Sequence, residues 1–180
     1  MCGPCATDAV PGGHEAAIGF GSNLGQSLAI LAAAWQELAA CSALTPVALS
    51  FPYRSQPLGM ASDNWFVNAA ALVRTTLPPD ALLRFLHTVE AQYGRNREVA
   101  PAVCQDRTLD LDLLLYDDLT LATERLVIPH PRMARRLFVL APLTEIAADR
   151  IHPGYGKAIG VLLTELQRTS HGQVIERISW

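Results

Sequence analysis

Two carboxylates stand two residues apart in Arg107-Thr108-Leu109-Asp110-Leu111-Asp112-Leu113. In a strand, alternate residues share a face, so Asp110 and Asp112 point one way and Leu109, Leu111 and Leu113 the other. Their Cα atoms would lie roughly 6.5–7 Å apart. Acids so spaced can bind a hard cation such as Mg²⁺, which keeps waters and is completed by substrate phosphates. The same pattern fits two exposed acids on the polar face of an edge strand. Against that, the run Leu113-Leu114-Leu115 predicts burial on both faces, and a buried strand seldom carries two acids unless something pairs them.

Arginines gather around this strand in the sequence. Arg95-Asn96-Arg97 follows a helix end, and Arg125 precedes Pro129-His130-Pro131 with Arg132, Arg135 and Arg136. On a helix, Arg132 and Arg136 share a face at i, i+4. Thirteen of the fourteen basic residues are Arg, with Lys157 the exception. A planar, bidentate guanidinium suits phosphate, although solvated surface charge is the alternative reading of each cluster. Trp65-Phe66-Val67-Asn68 sets aromatics beside an amide. That combination can stack on and hydrogen-bond a flat heterocycle, or the aromatics can fill the core. Gly19-Phe20-Gly21-Ser22-Asn23-Leu24-Gly25 fits neither nucleotide-loop pattern and reads as a tight strand-to-helix turn.

The elements that must position these groups are legible in outline. Ala16–Phe20, Val47–Tyr53, Trp65–Arg74 and Arg107–Tyr116 read as strands. Leu28–Cys41 has helical apolar spacing, and Pro78-Pro79-Asp80 announces a helix that stops at Gly94. Pro129-His130-Pro131 starts a helical stretch to about Leu140, followed by short helices over Leu143–Ala148 and Ala158–Thr169. Residues 1–15 read as a flexible leader and 16–180 as a single α+β domain, a sheet covered by helices.

Composition bounds the rest. The chain has 180 residues, half of them hydrophobic and 17% charged, which excludes a disordered chain or a coiled coil. A net charge of −3 argues against a broad grip on nucleic acid. No apolar run reaches a membrane span, and the first residues do not form a secretory signal. Cys2-Gly-Pro-Cys5 lacks the strand and helix that a redox motif needs, and no second ligand pair is spaced for zinc. A reducing cytoplasm and a monomer are expected.

Six segments in order resemble the 6-hydroxymethyl-7,8-dihydropterin pyrophosphokinase family of folate biosynthesis over about residues 16–155. They are Ile18–Gly25, Tyr53-x-Ser55-x-Pro57-x-Gly59, Phe66-x-Asn68-Ala69-Ala70, Glu90-x-x-x-Gly94-Arg95-x-Arg97, Arg107–Leu114, and Pro129-His130-Pro131 through Arg136, Phe138 and Leu143. The resemblance implies a ferredoxin-like α+β fold with a mainly antiparallel sheet. It also implies transfer of pyrophosphate from ATP to the pterin hydroxymethyl group, with AMP released.

By the same resemblance, Asp110 and Asp112 hold two Mg²⁺ ions, while Arg95 and Arg107 stabilise the transferring group. His87, Glu90, Arg97, Arg125, His130 and Arg136 fall on the ATP side. Ser55, Gln56, Leu58, Phe66, Asn68 and Phe138 fall on the pterin side, the two Phe rings sandwiching it. No strong general base is implied. Where the family commonly has Trp-Gly-Pro before the strand arginine, this chain has Cys104-Gln105-Asp106. Asp106 adds a negative charge beside a phosphate site, which would weaken ATP binding unless an arginine pairs with it. A non-catalytic nucleotide- or pterin-binding relative, and a Mg²⁺-dependent nucleotidyltransferase, are the competing readings.

Overall fold

The computed structural model describes residues 13–59, 62–95, 105–170 and 172–180. Its main sheet is built on two long central strands, β1 (His14–Ser22) and β4 (Phe66–Thr75), paired antiparallel from His14↔Thr75 to Ser22↔Val67. On the far side of β1 lies β5 (Asp110–Tyr116). The other edge of β4 is shared: its first residues pair with β3 (Tyr53–Ser55) and its last with β2 (Leu44–Leu49). A C-terminal strand, β10 (Ile175–Arg177), extends the sheet beyond β3. Every pairing in this sheet is antiparallel.

Helices cover both faces. Against one face lie α1 (Ser27–Ala40) and α2 (Pro79–Gln92), burying Leu31, Leu38, Leu82 and Leu86 on Ile18, Phe20, Leu111 and Leu113. Against the other lie α3 (Leu137–Ala147) and α4 (Ile159–Thr169), burying Leu140, Leu143 and Leu162 on Ala17, Leu72, Leu114 and Leu115. Between β5 and α3, the chain forms a short hairpin of β6 (Leu121–Ala122) and β7 (Val127–Ile128) and a 3₁₀ turn at Met133–Arg135. A second small hairpin, β8 (Ile151–His152) with β9 (Lys157–Ala158), leads into α4. The sheet is thus the antiparallel, helix-covered α+β layer expected. Among the described residues, no helix is long and apolar enough to cross a membrane.

The triple-leucine run has a geometric explanation. Ile18 pairs with Leu113 but Ala17 with Leu115, so Leu114 is an extra residue in β5. That bulge turns Leu114 and Leu115 to the same core, and leaves Asp110 and Asp112 opposite Leu111 and Leu113.

Several boundaries differ from the sequence reading. β1 begins at His14, two residues early. β5 starts at Asp110, because Asn23 takes the backbone groups of Arg107: Asn23 N–H donates to the Arg107 carbonyl (3.0 Å), and Arg107 N–H to Asn23 Oδ1 (2.7 Å). The single strand expected at 47–53 is two, broken at Ser50-Phe51-Pro52, where Phe51 N–H donates to Glu145 Oε2 (2.8 Å). The two helices expected around Pro142 are one. Five of its eleven residues are buried, and that packing outweighs the hydrogen bond that Pro142 cannot donate. The expected leader lies almost wholly outside the described residues, and with it Cys2 and Cys5.

Candidate active site

The floor of the cleft that gathers most of the expected site side chains is set by register. Gly19 pairs with Asp112 and Gly21 with Asp110, so both glycines present their bare faces beside the two acids. A Cβ on Gly19 would press on the Leu114 side chain at 3.3 Å, and one on Gly21 would touch Asn68 Oδ1 at 3.5 Å. Glycine inside a strand often marks a place where something must approach the backbone. The cleft encloses about 680 Å³, part of it open to solvent. Six side chains assigned by resemblance to the pterin side line it: Ser55, Gln56, Leu58, Phe66, Asn68 and Phe138. Asp110, Asp112, Arg107 and Arg136 line it as well.

Two aromatic walls each carry an arginine. The Arg107 guanidinium lies 5.4 Å from the Phe66 ring and that of Arg136 lies 5.5 Å from the Phe138 ring. Trp65 turns away and takes Arg54 at 4.6 Å. Asn68 is buried and donates from Nδ2 to Ser55 Oγ (2.9 Å), which fixes its amide at the cleft wall.

The acids are not equivalent. Asp110 is ion-paired to Arg95 and to Arg107, the latter at 3.1 Å. Asp112 has its carboxyl pushed up to about 6, first by burial and then by the Asp110 charge beside it. Burying two like charges together is costly without a cation. The donor set therefore fits Mg²⁺, with two carboxylates and room for phosphate oxygens, and no third protein carboxylate or His completes the group among the described residues.

The cationic rim also crowds like charges together. Arg136 is held below its ordinary range by burial and then by the nearby Arg132 charge. The His130 backbone N–H donates to the Leu114 carbonyl (2.9 Å), which ties this residue's backbone to β5, and the ring makes its own contact. Its Nδ1 accepts from Arg132 N–H (3.2 Å), leaving Nε2–H as donor. Burial first, and then Arg136 and Arg132, push the His130 ring down to about 4. Such a cluster of cations seeks an anion. A ring neutral in the folded state and protonated in the unfolded chain destabilises the fold as pH falls through that interval. The ligand-free protein is expected to lose about 1–3 kcal/mol relative to His130→Gln between pH 7 and pH 4.5. Paired thermal melts across that range would measure it, and parallel curves would remove the effect.

Glu90 and Arg95 lie at the free edge of β5, and the Arg95 guanidinium reaches Asp110, one of the cleft acids. Glu90 is 1% exposed, and its Oε1 accepts from Leu111 N–H (2.7 Å) and Arg95 Nη1 (2.6 Å). His87 is half-buried one turn earlier on α2 and does not line the cleft. Arg125 is exposed between β6 and β7. Arg97 and Cys104 lie outside the described residues.

The contact between Asn23 and Asp106 escaped the sequence reading, which singled out Asp106 only as a charge in need of an arginine. Asp106 finds amides rather than an arginine: Asn23 Nδ2 donates to one carboxylate oxygen (2.6 Å) and Asn64 Nδ2 to the other (2.7 Å). Hydrogen bonds from Ser62, Asn23 and Asn64 hold this carboxyl below its usual range. It joins the loop before β4 to the strand entrance that carries Arg107. Asp106→Ala is expected to lower kcat/KM for both substrates by about tenfold, since two loop contacts are lost together. Steady-state kinetics would show it, and an unchanged kcat/KM would make the contact incidental. The only forewarning in the sequence was a polar side chain at each of these loop positions.

Anion-seeking arginines on one rim and paired acids on the floor suit phosphoryl transfer, in which positioning and charge neutralisation carry catalysis. The enzyme class is thus a phosphotransferase on an α+β sheet. Comparison with known proteins makes this particular. The family model for 7,8-dihydro-6-hydroxymethylpterin-pyrophosphokinase matches residues 17–148. A 2-amino-4-hydroxy-6-hydroxymethyldihydropteridine pyrophosphokinase of Methylorubrum extorquens is 42% identical over 140 residues, covering 78% of this chain and 87% of its own. Its counterpart in Synechocystis sp. is 39% identical over 159 residues, covering 87% and 78%. In fold, the chain is similar to an HPPK-DHPS protein solved in complex with substrates, with a TM-score of 0.67 at 15% identity. That likeness covers 85% of this chain, which spans 43% of the longer one. The chain belongs to the 7,8-dihydro-6-hydroxymethylpterin-pyrophosphokinase family. It is a pyrophosphokinase.

Proposed function

We propose that the protein transfers pyrophosphate from ATP to the hydroxymethyl oxygen of 6-hydroxymethyl-7,8-dihydropterin and releases AMP, a step of folate biosynthesis. The observation that carries this reading is the single cleft in which Phe66, Asn68 and Phe138 meet Asp110, Asp112, Arg107 and Arg136. The pterin ring lies between Phe66 and Phe138, with Asn68 and the Ser55–Leu58 backbone on its polar edge. Its hydroxymethyl group then points toward the two acids. ATP enters with its phosphates along Arg107, His130 and Arg136, and the family resemblance assigns Arg97 and Arg125 to ATP as well.

Asp110 and Asp112 are the residues that hold two Mg²⁺ ions. Metal held by these two carboxylates would neutralise triphosphate charge. The hydroxymethyl oxygen bonds to the β-phosphorus as the bond from that phosphorus to the AMP oxygen breaks. AMP leaves with the electron pair, and the hydroxyl proton passes to solvent water. Arg95 and Arg107 stabilise the charge that builds on the transferring group. No strong base is required of the chain, because alignment of the attacking oxygen supplies much of the rate. The protein works as a cytoplasmic monomer without nucleic acid or membrane.

Incubation with ATP, Mg²⁺ and the pterin, followed by chromatography, tests the reaction. AMP and pterin diphosphate are expected in equal amounts, and neither with EDTA. Saturable binding of both ligands without AMP would instead mark a non-catalytic relative.

A further inference from the structure

The two walls of the cleft come from distant segments, Gln56 and Leu58 after β3 and Phe138 at the start of α3. One stretch touches both: the C-terminal tail, beyond the residues 17–148 matched by the family. Ile175 of β10 pairs with Ser55, and Gln56 N–H donates to the Val174 carbonyl (3.2 Å). The same tail reaches α3 through one side chain. Gln173 Oε1 accepts from Leu137 N–H (2.9 Å), and Gln173 Nε2 donates to the Arg135 carbonyl (3.2 Å).

That contact matters because of its place. Leu137 is the first residue of α3, where backbone N–H groups lack partners within the helix. The preceding residue, Arg136, offers no side-chain cap. Gln173 fills that role from another part of the chain. Leu137 also stands between Arg136 and Phe138, so both are set by the backbone that Gln173 holds. A smaller cavity of about 220 Å³, lined by Gln56, Leu58, Phe138 and Gln173 among others, lies between the tail and the two walls.

We infer that Gln173 is a positioning residue for the pterin, fixing Phe138 against the wall formed by Gln56 and Leu58. This rests on the assignment of the cleft to the pterin. Gln173→Ala removes two hydrogen bonds, and the pterin Kd is expected to rise about tenfold. The Kd for Mg·ATP should rise by less, about two- to threefold, because Arg136 shares the phosphates with Arg107 and His130, and Tm should stay within a few degrees, because the β10 ladder remains. Gln173→Glu keeps an acceptor for Leu137 N–H at the positive end of the helix and should restore most of the affinity.

Calorimetry with the pterin, in the presence of Mg²⁺ and a non-hydrolysable ATP analogue, reads both ligands. Phe138→Ala serves as the control. If Phe138→Ala leaves pterin binding intact, the reading of the cleft fails. If Phe138→Ala weakens it and Gln173→Ala does not, the positioning role fails. Equal weakening of both ligands in Gln173→Ala with a large fall in Tm would also overturn it, as a general loss of structure.

Discussion

Asp112→Asn is expected to lower turnover about a thousandfold while leaving the melting temperature at neutral pH unchanged or raised. The amide keeps the size of the side chain but not the charge that a divalent cation requires. A thousandfold corresponds to ~4 kcal/mol of transition-state stabilisation. The stability expectation comes from the same carboxylate. Burial and the neighbouring Asp110 push Asp112 up to about 6, so at pH 7 its charge is held against the preference of its surroundings. Removing that charge relieves the fold. Activity and stability should therefore move in opposite directions, as happens where a site stores unfavourable electrostatics. Asp110→Asn should match the loss of turnover without the gain, because Arg95 and Arg107 already pair with Asp110. AMP release and calorimetric melts on the two variants would check both. Wild-type turnover in Asp112→Asn would remove it from the machinery.

Glu90→Ala is expected to cost about 3 kcal/mol of stability, the usual range for breaking a buried ion pair. Glu90 is the buried acceptor for both Leu111 N–H and Arg95. Its loss leaves a buried strand N–H unsatisfied and frees the guanidinium that also pairs with Asp110. In a chain of this size the Tm should fall by roughly 6–12 °C. Glu90→Gln keeps an acceptor but no charge and should lose about half as much. Thermal and urea unfolding would measure both. A Glu90→Ala protein as stable as wild type would show that the pair contributes no net stability. The same variants should lower turnover, since Arg95 reaches Asp110 from the Glu90 side.

Strand alternation made much of this site legible from sequence. Leu109, Leu111 and Leu113 pack one way and Asp110 and Asp112 the other, as period-two reading requires. The bulge at Leu114 was hidden, because an extra residue in one strand leaves no trace in composition. Gly19 and Gly21 were legible as glycines but not as the cleft floor, which depends on their register with β5. α3 ran through Pro142 because tertiary burial overrode a local signal. Glu90 illustrates a further limit. Family resemblance places it on the nucleotide side, and its contacts with the edge of β5 and with Arg95 form only once the chain is folded. Gln173 lay outside every motif, and its contact with Leu137 joins residues 36 apart. Only folding brings such a pair together.

Pyrophosphate should move as one unit, and isotope labelling tests that directly. The purified protein would be given Mg²⁺ and the pterin with ATP labelled at either the α- or the γ-phosphorus. The expected result is γ-label in the pterin product and α-label in AMP, with both products lost on adding EDTA. Label from the α-phosphorus in the pterin product, with free pyrophosphate released, would instead make this a nucleotidyltransferase and contradict the assignment of the cleft.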